Sequence, residues 1–235
     1  MTLSQTQNNS AKFFAALYVI IALCDLVLEY LFSNPEVRYI TKPAIVCSLL
    51  IFLILRKTTI PLFRFNYLLM GLILSLAGDI FLLFQGQLFF ILGLVMFLFA
   101  HIFYILLFVK DIAFGQKSKL FLVLTTVYGF GLFFLLYSNL KAMLIPVIVY
   151  MIVILGMANT SYFRSQEVGK KSYLFVLMGA LVFMLSDSLL AVNMFYTSLP
   201  YSHIWIMSTY ALAQLLIVYG IIYQNPPLYS EKNKG

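Results

Sequence analysis

The chain has 235 residues, of which 63% are hydrophobic and only 10% charged, against about 25% charged in soluble domains. That excludes a soluble enzyme and leaves room for one membrane domain. The net charge of +7 would suit nucleic acid, but the cations sit in short segments between apolar runs and form no basic stripe, so no nucleic-acid partner is expected.

A helix needs about 20 apolar residues to cross the hydrocarbon core. In chain order, residues 1–10 read as a polar tail, and the apolar run from Phe13 reads as a retained helix, with no small-residue cleavage site. Eight spans follow: Ala11–Phe32, Thr41–Leu55, Asn66–Phe84, Leu88–Val109, Leu120–Tyr137, Ala142–Phe163, Ser172–Tyr196 and Ser202–Tyr223. Residues 11–223 thus form a single all-α, polytopic helical bundle, with 224–235 as a second polar tail. The stretch Arg56–Asn66, with Pro61, reads as a connector. Gln85-Gly86-Gln87 reads as a tight turn joining the third and fourth spans. Cys24 and Cys47 fall within spans and read as buried small hydrophobes.

Basic residues alternate between the two sides. Lys12, Arg56, Lys57, Arg64, Lys110, Lys117, Lys119, Arg164, Lys170, Lys171, Lys232 and Lys234 fall on one, and Arg38, Lys42 and Lys141 on the other. The positive-inside rule puts both termini in the cytoplasm, which requires an even number of spans. A multi-pass protein of a bacterial inner membrane is expected. Tyr137, Tyr196, Tyr201, His203 and Trp205 fall near the outer ends, where an interfacial belt forms.

Asp79 and Asp187 are the most informative residues. Each interrupts an uncharged apolar span, at a cost of about 2.5–3.5 kcal/mol on insertion scales. Each follows a Met-Gly pair, Met70-Gly71 and Met178-Gly179, at the same interval. Both spans run outward, so both carboxyls lie past the midplane. The spacing fits a duplication into two four-helix halves. Ser75 shares a helix face with Asp79, and Gly78 allows close approach beside it. Ser186 and Ser188 flank Asp187, and Ser188 is expected to bond its own i−4 carbonyl.

Further candidates lie at membrane depth. Asp25 and Glu29 are one turn apart, a spacing that disfavours joint ionisation, with Lys42 near enough to form an ion pair. His101 and Tyr104 share a face of the helix next to that of Asp79. Tyr210 and Gln214 share a face of the last span. Asn159 and Asn193 rank lower, and His203 reads as a belt residue only. No metal site or cofactor is expected, because a zinc site needs three or four ligands and one histidine lies deep. No phosphate loop, nucleophile elbow or His-Glu-x-x-His motif is present.

Taken together, Lys42-Pro43, Ser75-x-x-Gly78-Asp79-x-x-Leu82, Ala100-His101-x-x-Tyr104, Ser186-Asp187 followed by Leu189-Leu190-Ala191, and Tyr210-x-x-x-Gln214 resemble the YhhN family of eight-span membrane proteins, which includes the mammalian lysoplasmalogenases. The resemblance covers almost the whole chain after residue 11. It implies hydrolysis, by a protein set in the lipid bilayer, of the vinyl ether bond of lysoplasmalogens, a lysophospholipid-like substrate, yielding a fatty aldehyde and a glycerophospho-alcohol.

The residues suit that chemistry. A vinyl ether hydrolyses through protonation of its β-carbon, giving an oxocarbenium ion that water traps. Burial disfavours the ionised form of a carboxyl, so a buried carboxyl supplies an acid. A second, ionised one stabilises the cation and activates water, as at glycosidic bonds. Asp79 and Asp187 would divide these roles. Ser75, His101, Tyr104, Tyr210, Gln214, Asp25 and Glu29 would position water and ether oxygen, and Lys42 would meet the substrate phosphate. The same residues would also serve a proton-coupled transporter of a small amphiphile, though paired helix interruptions are lacking.

Overall fold

Hydrocarbon offers no partner for a free N–H or C=O, so a chain this apolar satisfies its backbone within each segment. The computed structural model describes residues 3–32, 35–112, 119–164 and 168–224. It contains α1 (Leu3–Phe32), α2 (Pro35–Leu55), α3 (Leu62–Phe81), α4 (Gln87–Val109), α5 (Lys119–Leu140), α6 (Leu144–Tyr162), α7 (Lys170–Phe195) and α8 (Ser202–Ile222). Seven stretches are long and apolar enough to cross a membrane, and one of them, Lys119–Tyr162, runs for 44 residues, about twice the length of a crossing. It breaks at a 3₁₀ turn over Lys141–Met143, where Lys141 takes φ 46°. There α5 ends, and α6 packs back against it.

Three boundaries differ from the sequence reading. The polar stretch before Ala11 is helical from Leu3 and continues α1. α2 begins at Pro35, which puts Arg38 on the helix and Pro43 in its interior. Proline breaks one backbone bond there, a loss that membrane bundles absorb through neighbouring groups. α3 begins at Leu62, directly after Pro61, so Arg64 belongs to the helix. The C-terminal tail beyond residue 224, together with Lys117, lies outside the described residues.

Neighbouring helices pack in a ring. α3 and α4 form a hairpin about Gly86, whose φ of 114° suits glycine. α4 then packs on α6, α6 on α7, and α7 on α8, and α8 returns to α1 and α2. Two phenols hold that closure: Tyr18 Oη donates to the Ala211 carbonyl at 2.8 Å, and Tyr219 Oη to the Ala11 carbonyl at 2.6 Å. α5 stands outside the ring, against α6 and α7. Cys24 is exposed rather than buried, and Cys47 is half-buried.

The two ends of the bundle differ. At the end where α1 starts, Asp111 is held by Arg64 Nη2 at 3.1 Å and Arg164 Nη2 at 3.3 Å. Arg164 also donates to Gln224 Oε1 at 3.0 Å and Ser172 Oγ at 3.2 Å. Burial holds the Arg164 guanidinium down at about 10, still charged at neutral pH. Arg56 reaches Ser10 Oγ at this same end. This is the basic side on which the cytoplasmic assignment rests. Asn159 and Asn193 each make a bond that joins elements, and Asn193 also lines a polar cavity. Asn159 donates to Thr125 Oγ1 at 3.0 Å, tying α6 to α5, and Asn193 Oδ1 accepts from the Leu199 amide, shaping the α7–α8 connection.

Candidate active site

Each of the seven ring helices sends at least one polar side chain inward. α1 supplies Asp25, α2 Lys42, α3 Asp79, α4 His101, α6 Tyr150, α7 Asp187 and α8 Tyr210. Asp79 and Asp187 line one cavity of about 220 Å³, together with Glu29, Arg38, Lys42, His203 and Tyr210. The expectation that the two carboxyls share a space therefore holds, although they sit in different surroundings.

Asp79 is 1% exposed. Its Oδ1 stands 3.4 Å from Lys42 Nζ, and its Oδ2 accepts from Tyr210 Oη at 2.6 Å. Gln214 Nε2 donates to Tyr210 Oη at 3.3 Å, and Gln214 Oε1 accepts from Tyr104 Oη at 2.7 Å. A relay thus runs from Tyr104 through Gln214 and Tyr210 to Asp79. Ser75 is buried nearby, but its hydroxyl is beside the Tyr104 phenol and not bonded to Asp79, so the serine does not tie down the aspartate. The Gly78 position is required by Phe97: a Cβ there would come within 2.7 Å of the ring. Phe97 in turn stands edge-on to Tyr210.

Lys42 departs from the sequence reading in its ion-pair partner, which is Asp79 rather than Asp25 or Glu29. Its charge is spent on Asp79, because the earlier start of α2 puts Arg38 one turn nearer the helix end. Arg38 Nε contacts Glu29 Oε2 at 2.7 Å.

Asp187 keeps other company. Its Oδ2 accepts from Tyr150 Oη at 2.5 Å and stands 3.7 Å from His101 Nε2, beyond direct hydrogen-bond reach. His101 is fully buried and packs edge-on against Phe183 and Tyr150. His101 and Tyr104, one turn apart on α4, have different partners. Three residues apart, the two side chains diverge across α4, so His101 turns to Asp187 and Tyr104 to the Asp79 relay. Ser188 bonds the Met184 carbonyl at 2.7 Å, as expected, and Ser186 the Ile206 carbonyl at 3.0 Å.

Asp25 and Glu29 do not face each other unscreened. His203 Nε2 lies 3.3 Å from Asp25 Oδ2 and 2.7 Å from Glu29 Oε2, and Thr41 donates to Asp25 Oδ1 at 2.5 Å. Arg38 Nη2 stands 3.0 Å from His203 Nδ1. Arginine only donates, so Nδ1 accepts and the ring proton sits on Nε2, facing the carboxylates. His203 is therefore a site residue rather than a belt residue. Tyr150 and Arg38 are further residues that the sequence reading missed. Neither carries a signal of its own: tyrosine is at home in membranes, and Arg38 looked like a loop cation.

With this geometry in place, similarity to known proteins becomes informative. A family model described as "YhhN family" matches residues 37–221. The chain belongs to the YhhN family. The match takes in every site residue named in this section except Asp25 and Glu29 of α1. Among characterised relatives, this YhhN protein is 32% identical over 164 residues to lysoplasmalogenase TMEM86A of Homo sapiens. It is 34% identical over 164 residues to lysoplasmalogenase TMEM86A of Bos taurus, and 32% identical over 157 residues to lysoplasmalogenase TMEM86B of Homo sapiens. Those alignments cover 67%, 67% and 65% of this chain. They span 66%, 66% and 62% of the relatives' own lengths. No solved structure matches the chain.

Proposed function

We propose that this YhhN protein is a membrane-embedded lysoplasmalogenase, hydrolysing the vinyl ether of a lysophospholipid with Asp79 and Asp187 as the acid–base pair. The observation that carries this reading is the convergence of two buried carboxyls on one cavity, each with its own hydrogen-bond donors. Acid catalysis at carbon needs a carboxylic acid on one side and a carboxylate on the other, and the pair offers both. The relatives' names supply the substrate class. Arg38 and Glu29, paired with each other at the cavity, would exchange that pairing for the phosphate and ammonium of a zwitterionic head group.

The test is aldehyde release from lysoplasmalogen by the purified protein, with ethanolamine and choline head groups. Turnover lost in Asp79→Asn and Asp187→Asn supports the reading. Full turnover in both variants, or none in the folded unmutated protein, overturns it. Proton-driven flux of an amphiphile in proteoliposomes without aldehyde would favour transport.

A further inference from the structure

Beside the polar cavity runs a second, narrower apolar space of about 50 Å³, a groove partly open at the surface, between α4, α5, α6 and α7. Phe90, Leu94, Leu136, Val147, Ala191 and Phe195 are among the residues that line it, and among the described residues Asp187 and Tyr150 are the only polar ones in its walls. α5, the helix outside the ring, supplies its outer wall through Leu132 and Leu136. The two spaces share Leu82, Phe97, Asp187 and Leu190. Asp187 is thus the one polar side chain that faces both, whereas Asp79 faces the polar cavity alone.

Resting on the vinyl ether reading above, we infer that the alkenyl chain of the substrate occupies this apolar groove, which makes Asp187 the proton donor and Asp79 the carboxylate that activates water. The order of atoms in the substrate decides it. From head to tail they run glycerol carbon, ether oxygen, α-carbon, β-carbon, chain. With the head group among Arg38, His203 and Glu29 and the chain in the groove, the β-carbon comes to the junction, at Asp187. Each methylene moved from the groove to a polar setting would forfeit about 0.8 kcal/mol, so the chain does not share the head-group cavity. Lys42 stabilises the charge on Asp79, and Asp187 has no lysine or arginine within ion-pair distance among the described residues.

The protons balance. The Asp187 carboxyl gives its proton to the β-carbon, and the double-bond pair forms the new C–H bond, leaving an oxocarbenium at the α-carbon. Water adds to that carbon and passes a proton to Asp79. The hemiacetal hydroxyl returns a proton to Asp187 as the bond from the α-carbon to the ether oxygen breaks. The departing glycerol oxygen takes the proton held by Asp79. One water is consumed, aldehyde and alcohol leave, and both aspartates are restored.

Asp187 and Phe195 are two turns apart on α7, about 12 Å, and Phe90 meets Phe195 edge-on with ring centroids 5.7 Å apart. Ala191, one turn from Asp187, is the place to narrow the groove. Ala191→Phe should raise KM for a hexadecenyl substrate by about tenfold (roughly 1.4 kcal/mol) and change that for a butenyl substrate far less. Equal effects on both chain lengths would overturn the placement. A lysophospholipid carrying a mid-chain diazirine, cross-linked to the unmutated protein, gives a second readout independent of turnover. Adducts on groove residues of α4–α7 support the placement, and adducts on α1, α2 or α8 contradict it. If the unmutated protein cleaves no vinyl ether, the enzymatic reading fails, and the cross-link alone still decides where the chain lies.

Discussion

Asp79 and Asp187 occupy equivalent places in sequence, each following a Met-Gly pair and each on the first member of a close helix hairpin, α3–α4 and α7–α8. The packing around them repeats too. A Cβ at Gly71 would collide with Tyr104 of α4, and one at Gly179 would come within 2.8 Å of Ile217 of α8. Their chemical settings nevertheless diverge. Asp79 is locked between a lysine and a tyrosine–glutamine relay, away from the groove. Asp187 is more open, with side-chain exposure of 14% against 2% for Asp79, and meets a phenol, an imidazole and the apolar space. Two similar stretches of sequence thus yield different tools, because the partners come from other helices: Lys42 of α2 and Tyr210 of α8 for one, Tyr150 of α6 and His101 of α4 for the other.

The comparison can be broken most directly at the carboxyls. Asp79→Asn and Asp187→Asn should each lower kcat by about 10²–10⁴-fold, the usual share of acid–base catalysis. Their effects on stability should differ. Asp79→Asn strands Lys42 as a buried charge, and loss of one partner of a buried pair costs about 3–5 kcal/mol. Asp187→Asn strands no such cation and should melt closer to the unmutated protein in detergent. Equal losses of stability would erase the distinction drawn between the sites.

Lys42→Met should cost a similar 3–5 kcal/mol or so, and combining it with Asp79→Asn should recover much of that loss without restoring turnover. Failure of the double variant to recover would mean that the pair contributes no coupling. Next come the phenols. Tyr150→Phe and Tyr210→Phe each remove a donor to a carboxyl, an interaction of about 1.5–3 kcal/mol. Steady-state kinetics should show kcat reduced by roughly 10- to 100-fold in both. Smallest is Gln214→Leu, which cuts the relay one bond away from Asp79. A severalfold loss, about 1 kcal/mol, is expected, and no added effect on top of Asp79→Asn. An effect larger than that of Tyr210→Phe would place glutamine, not tyrosine, next to the chemistry.

The two aspartates were legible because an acid in an apolar span is conspicuous, and the eight helices because lipid leaves the backbone no alternative. The bond of Ser188 to its i−4 carbonyl followed from helix geometry alone. Partnerships across the ring were not legible. Lys42 was assigned to the wrong acids because the start of α2 was set at Thr41, which hid Arg38 as the nearer cation. His203 looked like an interfacial residue because nothing along its own helix reveals Asp25 and Glu29 across the cavity. Arg64 and Arg164 read only as orientation signals, and Asp111 carried no signal of its own, because the three lie in separate connectors in the sequence reading. In each case the missing information was which helix faces which, something that spacing along one helix does not carry.

The most direct test of carbon protonation by the carboxyl pair is turnover in D₂O, with the aldehyde reduced at once and analysed by mass spectrometry. A single deuterium on the carbon next to the former carbonyl is expected, with neither aldehyde nor label from Asp187→Asn. Aldehyde free of deuterium, or labelled product from Asp187→Asn at the unmutated rate, would contradict it.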